Sequence, residues 1–236
     1  MNQVTEGKLV TIEGIDGAGK TSVGGALASK LREVGVDAVF VSRLSEPSNT
    51  VAATRLRALS HLLWEYPPDV DVRALGDRHL ILLMASWFAL FDAAVVRSAL
   101  PQHRVVITDQ SPNKYIARFH AKGICDVAAL FQNLRRSDLA LHLVVDPPVA
   151  VSRKGPLRET ECGAAKTATL ASFICFQQSV QHELVELRDA AWRAIDAKRD
   201  MTAVVADALD ATRELWSVTP LDPPLGAGTP DLLVAD

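Results

Sequence analysis

Cysteine is scarce in this chain: Cys125, Cys162 and Cys175 are the three present, an odd number with no Cys-x-x-Cys spacing. That excludes a disulfide framework and a zinc ribbon, and it leaves reduced thiols in a cytoplasmic setting as the expectation. Net charge is small as well, since 25 Lys and Arg against 28 Asp and Glu leave a formal −3. Such a balance exerts no general pull on nucleic acid or anionic membrane, so neither is expected as a partner. The polar lead from Met1 to Lys8 shows no secretory pattern. The most apolar stretch, Leu80 to Val96, is interrupted by Asp92 and reads as a buried helix, short of the ~20 residues that span a bilayer. What is present is a 48% hydrophobic chain of 236 residues, enough for the core of one α/β domain acting on a small molecule.

Hydrophobic periodicity supplies the order of elements. Leu9 to Ile12 reads as a strand, Gly19 to Val34 as a helix ended by Gly35, and Val36 to Val41 as a second strand. Strand, helix and strand in that succession form a βαβ unit and imply a parallel sheet. The alternation continues with helices over Thr50–Leu63 and Val72–Leu100, a strand over Arg104–Thr108, and helical pieces at Lys114–Ala121 and Val127–Leu134. Leu139–Val145 and Trp192–Asp196 read as strands, with helices over Lys166–Arg188 and Thr202–Trp216. About five parallel strands with helices on both faces make a three-layer, doubly wound α/β fold. The domain is expected to span 1–217, and the Pro- and Gly-rich segment 218–236 to be a flexible tail.

One motif carries the chemistry. Gly14-Ile15-Asp16-Gly17-Ala18-Gly19-Lys20-Thr21 satisfies GxxxxGK[ST], with a strand before it and a helix after it. Its glycines let successive backbone N–H groups turn toward phosphate oxygens, and the helix adds the positive end of its dipole. Lys20 is suited to the β- and γ-phosphates and the Thr21 hydroxyl to Mg²⁺, with Ser22 beside it. The implied cofactors are ATP and Mg²⁺, and the core is that of a P-loop NTPase. The loop by itself does not separate kinases from switches. A switch GTPase is disfavoured, because Asn113-Lys114-Tyr115-Ile116 lacks the Asp of a guanine motif.

The run Thr11 to Thr21 resembles the opening of thymidylate kinases, with their Glu-Gly-x-Asp-Gly-x-Gly-Lys loop, and the likeness runs through roughly residues 8 to 216. Ser45-Glu46-Pro47 is similar to that family's Arg-Glu-Pro segment, and Leu82-Leu83-Met84-Ala85 to the start of its central substrate-lining helix. Val106-Ile107-Thr108-Asp109 resembles the strand bearing its Asp-Arg-Tyr motif. Leu143–Ala150 with Arg153 resembles its fourth strand and lid entry, and Ile195-Asp196-Ala197 the loop passing the adenine. The resemblance implies that Asp109 organises the metal and that Asp16 faces the acceptor. It further implies that Arg153 and Arg158, in a lid over about 152–166, act as cationic groups on the transferring phosphoryl, and that the protein is a homodimer.

Three of the family's acceptor arginines have no counterpart: they align with Ser45, with the segment Ser86-Trp87-Phe88, and with Gln110. Each loss replaces a bidentate cation by a neutral group. At about 1.5–3 kcal/mol per charge-assisted bond to phosphate, two losses weaken a nucleoside monophosphate several hundredfold. Arg43, Lys114 or Arg118 is expected to restore charge, with Arg43, Trp87 and Gln110 beside Asp16 at the acceptor. The expected activity is transfer of the γ-phosphoryl of Mg-ATP to a dTMP-like nucleoside monophosphate. The alternatives are a modified nucleotide, a nucleoside or a specialised metabolite as acceptor, or a P-loop switch without acceptor chemistry.

Overall fold

Five parallel strands in the order β2-β3-β1-β4-β5 form the sheet of the computed structural model, which describes residues 6–65, 72–163 and 168–217. They are β1 (Lys8–Glu13), β2 (Ala38–Val41), β3 (Val105–Thr108), β4 (Leu139–Val144) and β5 (Trp192–Asp196). The strands are short, and the central ones, β1, β3 and β4, are mostly apolar and buried on both faces. Val10 and Ile12 of β1, with Val105 and Ile107 of β3, enter one core; Leu9 and Val106 enter the other. This is the period-two alternation of a sheet covered on both sides.

The first core is closed by α1 (Lys20–Glu33) and α8 (Met201–Trp216), with Val180 and Leu184 of α7 (Leu170–Glu186). Leu27, Ala28 and Leu31 of α1 face the sheet, and Gly24 permits the approach of Phe40, whose ring a Cβ there would overlap. The second core is packed by α2 (Thr50–Trp64), α3 (Gly76–Phe91) and α5 (Pro112–His120). A short α6 (Pro147–Ser152) leads from β4 into the lid region. The expected three-layer α/β arrangement is therefore the one observed.

Several expected boundaries move. β2 starts at Ala38 rather than Val36, and the helical piece near Val127 is a single 3₁₀ turn, Ala128–Phe131. The long helix expected over 72–100 begins with a 3₁₀ turn, Val72–Leu75, passes Gly76 at positive φ, and widens into a π turn at Asp92–Val96 before α4 (Arg97–Ala99). The wide turn has a cause. Asp92 is buried, and its carboxylate accepts from Arg97 Nε at 2.7 Å and from the Arg135 N–H at 3.1 Å. Gly76–Ala99 is thus longer than the apolar run read from sequence, and long and apolar enough to cross a membrane by composition. Its residues Ile81, Met84, Trp87, Phe88 and Phe91 are nevertheless buried against the sheet and its other helices. The expected tail over 218–236 and the end of the lid, 164–166, lie outside the described residues.

Candidate active site

The register of β1 and β3 sets Thr11 opposite Thr108, so Glu13-Gly14 and Asp109 emerge side by side at the carboxyl edge of the sheet, where open α/β sheets bind ligands. The loop between β1 and α1 curls through Gly14, Gly17 and Gly19, all at positive φ. At Gly17, φ is 85°, and a Cβ would overlap the Ala150 carbonyl oxygen of α6. A side chain is excluded there twice over, by conformation and by space. Ala18 is buried beneath the loop, and Ser22 is exposed on the first turn of α1.

Lys20 Nζ folds back over this loop and donates to the carbonyls of Gly14 at 2.9 Å and Ile15 at 2.8 Å. Burial, and then the nearby charge of Lys114, lower its pKa to about 8. Thr21 Oγ1 donates to Asp109 Oδ2 at 2.5 Å, and Gln110 Nε2 donates to Asp109 Oδ1 at 2.8 Å. Hydroxyl and carboxylate from different elements thus meet at the mouth of the loop. No cluster of three or more His, Cys, Asp or Glu that could hold a metal occurs among the described residues. This donor set fits Mg²⁺, which is commonly held by one or two protein oxygens together with phosphates and water, and does not suit zinc.

Asp16 leaves the loop on its other side. Its carboxylate pairs with Lys114 at 3.2 Å and Arg118 at 3.0 Å, both on α5, and accepts from Gln177 Nε2 at 3.3 Å. Burial pushes the Asp16 carboxyl up, but the charges of Lys114, Arg118 and Lys20 overcome it and hold it well below the usual carboxylate range. Burial lowers Lys114, and Asp16 more than offsets this to raise it. Gln177, fully buried, also accepts from the Asp16 N–H at 3.0 Å and donates to the Glu161 carbonyl at 2.8 Å. It ties the loop to the 3₁₀ turn Glu159–Cys162. Glu13 lies deeper, accepting from Asn113 Nδ2 at 3.0 Å; its Oε2 has no hydrogen-bond partner among the described residues, and burial raises its pKa.

Beyond Asp16 opens a cavity of about 460 Å³. One wall is apolar, from Leu63, Trp64, Leu80 and Met84 of α2 and α3; the other carries Lys114, Arg118 and Lys122. Arg158 and Thr160, from the segment after α6, also line it, and Asp77 pairs with Lys122 there.

The residues expected at the acceptor divide. Asp16 and Arg158 line the cavity, as do Lys114 and Arg118. Trp87 does not: it is fully buried, stacks on Phe91 with ring centres 4.8 Å apart, and donates to Ser60 Oγ at 2.9 Å. Its apolar bulk belongs to the core, and Trp64, which meets it edge-on at 5.1 Å, presents the ring to the cavity. Gln110 is turned to Asp109 instead of the acceptor. Arg43 stacks on Trp64 at 5.0 Å without lining the cavity. Arg153 donates to the carbonyls of Ala197 at 2.8 Å and Lys198 at 3.4 Å, which sets it at the loop after β5, and it does not line the cavity. Gln177 and Trp64 were missed by sequence reasoning. Gln177 left one signal, a polar side chain on the buried stripe Phe173, Val180 and Leu184.

Comparison with known proteins agrees with this geometry. Residues 12–208 match the family model described as thymidylate kinase. The chain is 30% identical over 212 residues to a thymidylate kinase of Latilactobacillus sakei, covering 86% of this chain and 93% of that one. It is 30% identical to that of Halalkalibacterium halodurans over 91% of this chain and 100% of the relative. Against that of Pseudomonas putida strain W619 it is 33% identical, over 89% and 91%.

Proposed function

The chain belongs to the thymidylate kinase family and is a nucleotide kinase, and from that premise we propose that it transfers the γ-phosphoryl of Mg-ATP to a dTMP-like nucleoside monophosphate. The observation that carries this reading is the position of Asp16. One residue of the phosphate loop forms the near wall of the cavity, so donor and acceptor meet across a single loop. Transfer in this class needs positioning and charge stabilisation, with no covalent enzyme intermediate. Gly14 to Thr21 cradle the donor phosphates through backbone N–H groups, and Lys20 gives up its two carbonyl partners for phosphate oxygens. Thr21 and Asp109 would hold the metal. Bound there, Mg²⁺ neutralises charge on the donor phosphates. Arg158 reaches the cavity from the lid, while Arg153 sits beside the Ala197–Lys198 loop, which the family resemblance assigns to the adenine.

A second reading has its own support. The three positions where the family has arginine present nothing cationic to the cavity: Ser45 accepts from the Ser42 N–H, Phe88 packs edge-on against Tyr115, and Gln110 holds Asp109. A modified nucleotide or a specialised metabolite with a planar part would also suit the apolar wall. A cytoplasmic homodimer fits exposed Leu62 on α2 and Leu82 on α3, apolar side chains that a second copy would cover.

The test is ADP release from Mg-ATP against dTMP, other monophosphates, nucleosides and no acceptor, with Lys20→Ala as blank. Turnover confined to monophosphates supports the first reading. Turnover with none of them, alongside tight ATP binding, supports the second.

A further inference from the structure

We propose that Lys114 and Arg118 grip the acceptor's phosphate from α5, replacing the arginines absent at positions 45, 88 and 110; this rests on the monophosphate-kinase reading above. The two residues stand four apart on one helix and lie on the cavity side, with side chains 18% and 15% exposed. Four cations, Lys114, Arg118, Lys122 and Arg158, line the cavity with three carboxylates, Asp16, Asp77 and Glu161. Asp77 is matched by Lys122, and Glu161 by Lys154 at 2.9 Å. Asp16 alone faces both Lys114 and Arg118. Among the described residues the uncompensated charge is therefore one positive unit at this pair and one at Arg158, which suits the two negative charges of a phosphate monoester.

Position supports charge. Lys114 is near enough to Lys20 for the two to repel, which is the second cause of the low Lys20 pKa. It thus lies close to the phosphate-loop lysine as well as in the cavity wall. Arg118 joins three elements: it donates to Asp16 and to the Thr160 carbonyl of the lid, and lies over the Phe176 ring at 5.7 Å. Two of its five N–H groups are engaged among the described residues, leaving donors for phosphate oxygens. Asp16 acts as the internal counter-ion that keeps both cations ordered and inward before an acceptor arrives.

Calorimetry on the whole chain tests this without relying on turnover, comparing dTMP with thymidine. The wild type is expected to bind dTMP at least tenfold more tightly. Lys114→Met and Arg118→Gln should each lose about ten- to a hundredfold in dTMP affinity, with thymidine and ATP affinity within threefold. Lys114→Arg should regain most of the preference, which a merely structural role would not require. If the wild type prefers dTMP and both variants keep that preference, the proposed grip is wrong while the monophosphate reading stands. If the wild type shows no preference for dTMP over thymidine, the monophosphate reading itself fails and takes the proposal with it.

Discussion

Asp16→Asn removes a charge and little else, and its consequences can be worked from the distances. The wild-type carboxylate lies 3.2 Å from Lys114 Nζ and 3.0 Å from Arg118 Nη1, with 11% of its side chain exposed. Removing one partner of a buried ion pair costs about 3–5 kcal/mol, because the remaining charge stays buried without compensation. Here two cations remain, each with roughly a sixth of its side chain in solvent, so both can lean outward and the lower end, about 3 kcal/mol, is expected. For a domain of this size that lowers Tm by about 6–12 °C. Scanning calorimetry at pH 7 and low salt measures it. Removing the stranded cation should return stability, so Lys114→Met is expected to cost less in the Asp16→Asn background than alone. Acidification should mimic the substitution only far below the ordinary carboxylate range. A carboxyl held low in the fold contributes stability that is complete above its unfolded pKa, and loses it as pH falls through the folded one. A Tm within about 2 °C of wild type would refute the claim that Asp16 is the counter-ion of this site.

Three further outcomes follow from other parts of the structure. Trp87→Phe should cost about 1–2 kcal/mol through the lost Ser60 bond and volume and leave the acceptor KM within twofold; a tenfold rise would return Trp87 to the acceptor wall. Gly17→Ala forces an L-residue to φ 85° against the Ala150 carbonyl, at about 1–2 kcal/mol for the backbone alone. It should weaken ATP binding at least tenfold by titration and lower Tm by about 2–8 °C, and unchanged ATP affinity would count against the loop geometry. His142, buried and then repelled by Arg188, is lowered to about 4 from 6.5. The unfolded chain takes up that proton first, so stability should fall by up to about 3 kcal/mol as pH drops from 6.5 to 4. In denaturant titrations across that window, His142→Gln should flatten the slope relative to wild type.

The phosphate loop was legible because its chemistry lies in consecutive residues: backbone curl, Lys20 and Thr21 need no distant partner to be recognised. The layers were legible for a related reason, since strands buried on both faces are continuous apolar runs. What escaped was set by packing across the chain. Gln177 meets Asp16 from 161 residues away, and no local pattern announces such a bond. Trp87 stood out as an aromatic candidate while Trp64 did not, because only the packing of α2 on α3 puts the one in the core and the other at the cavity. The replacement of arginine was visible as a loss at Ser45, Phe88 and Gln110, whereas Lys114 and Arg118 could be named only as possible substitutes, because helix phase decides which of them face inward.

The π turn at Asp92–Val96 means that the central helix holds one residue more than its path requires. That residue is slack. Losing one residue among 93–95 would let the turn tighten into ordinary α geometry, with the flanking segments keeping their faces toward the sheet. The same loss between Leu80 and Trp87 would rotate all that follows by about 100° and turn Trp87 and Phe91 together out of the core they now fill. Tolerance to a change of length is thus concentrated in one turn of the helix, and that turn lies beyond the part of it that lines the cavity.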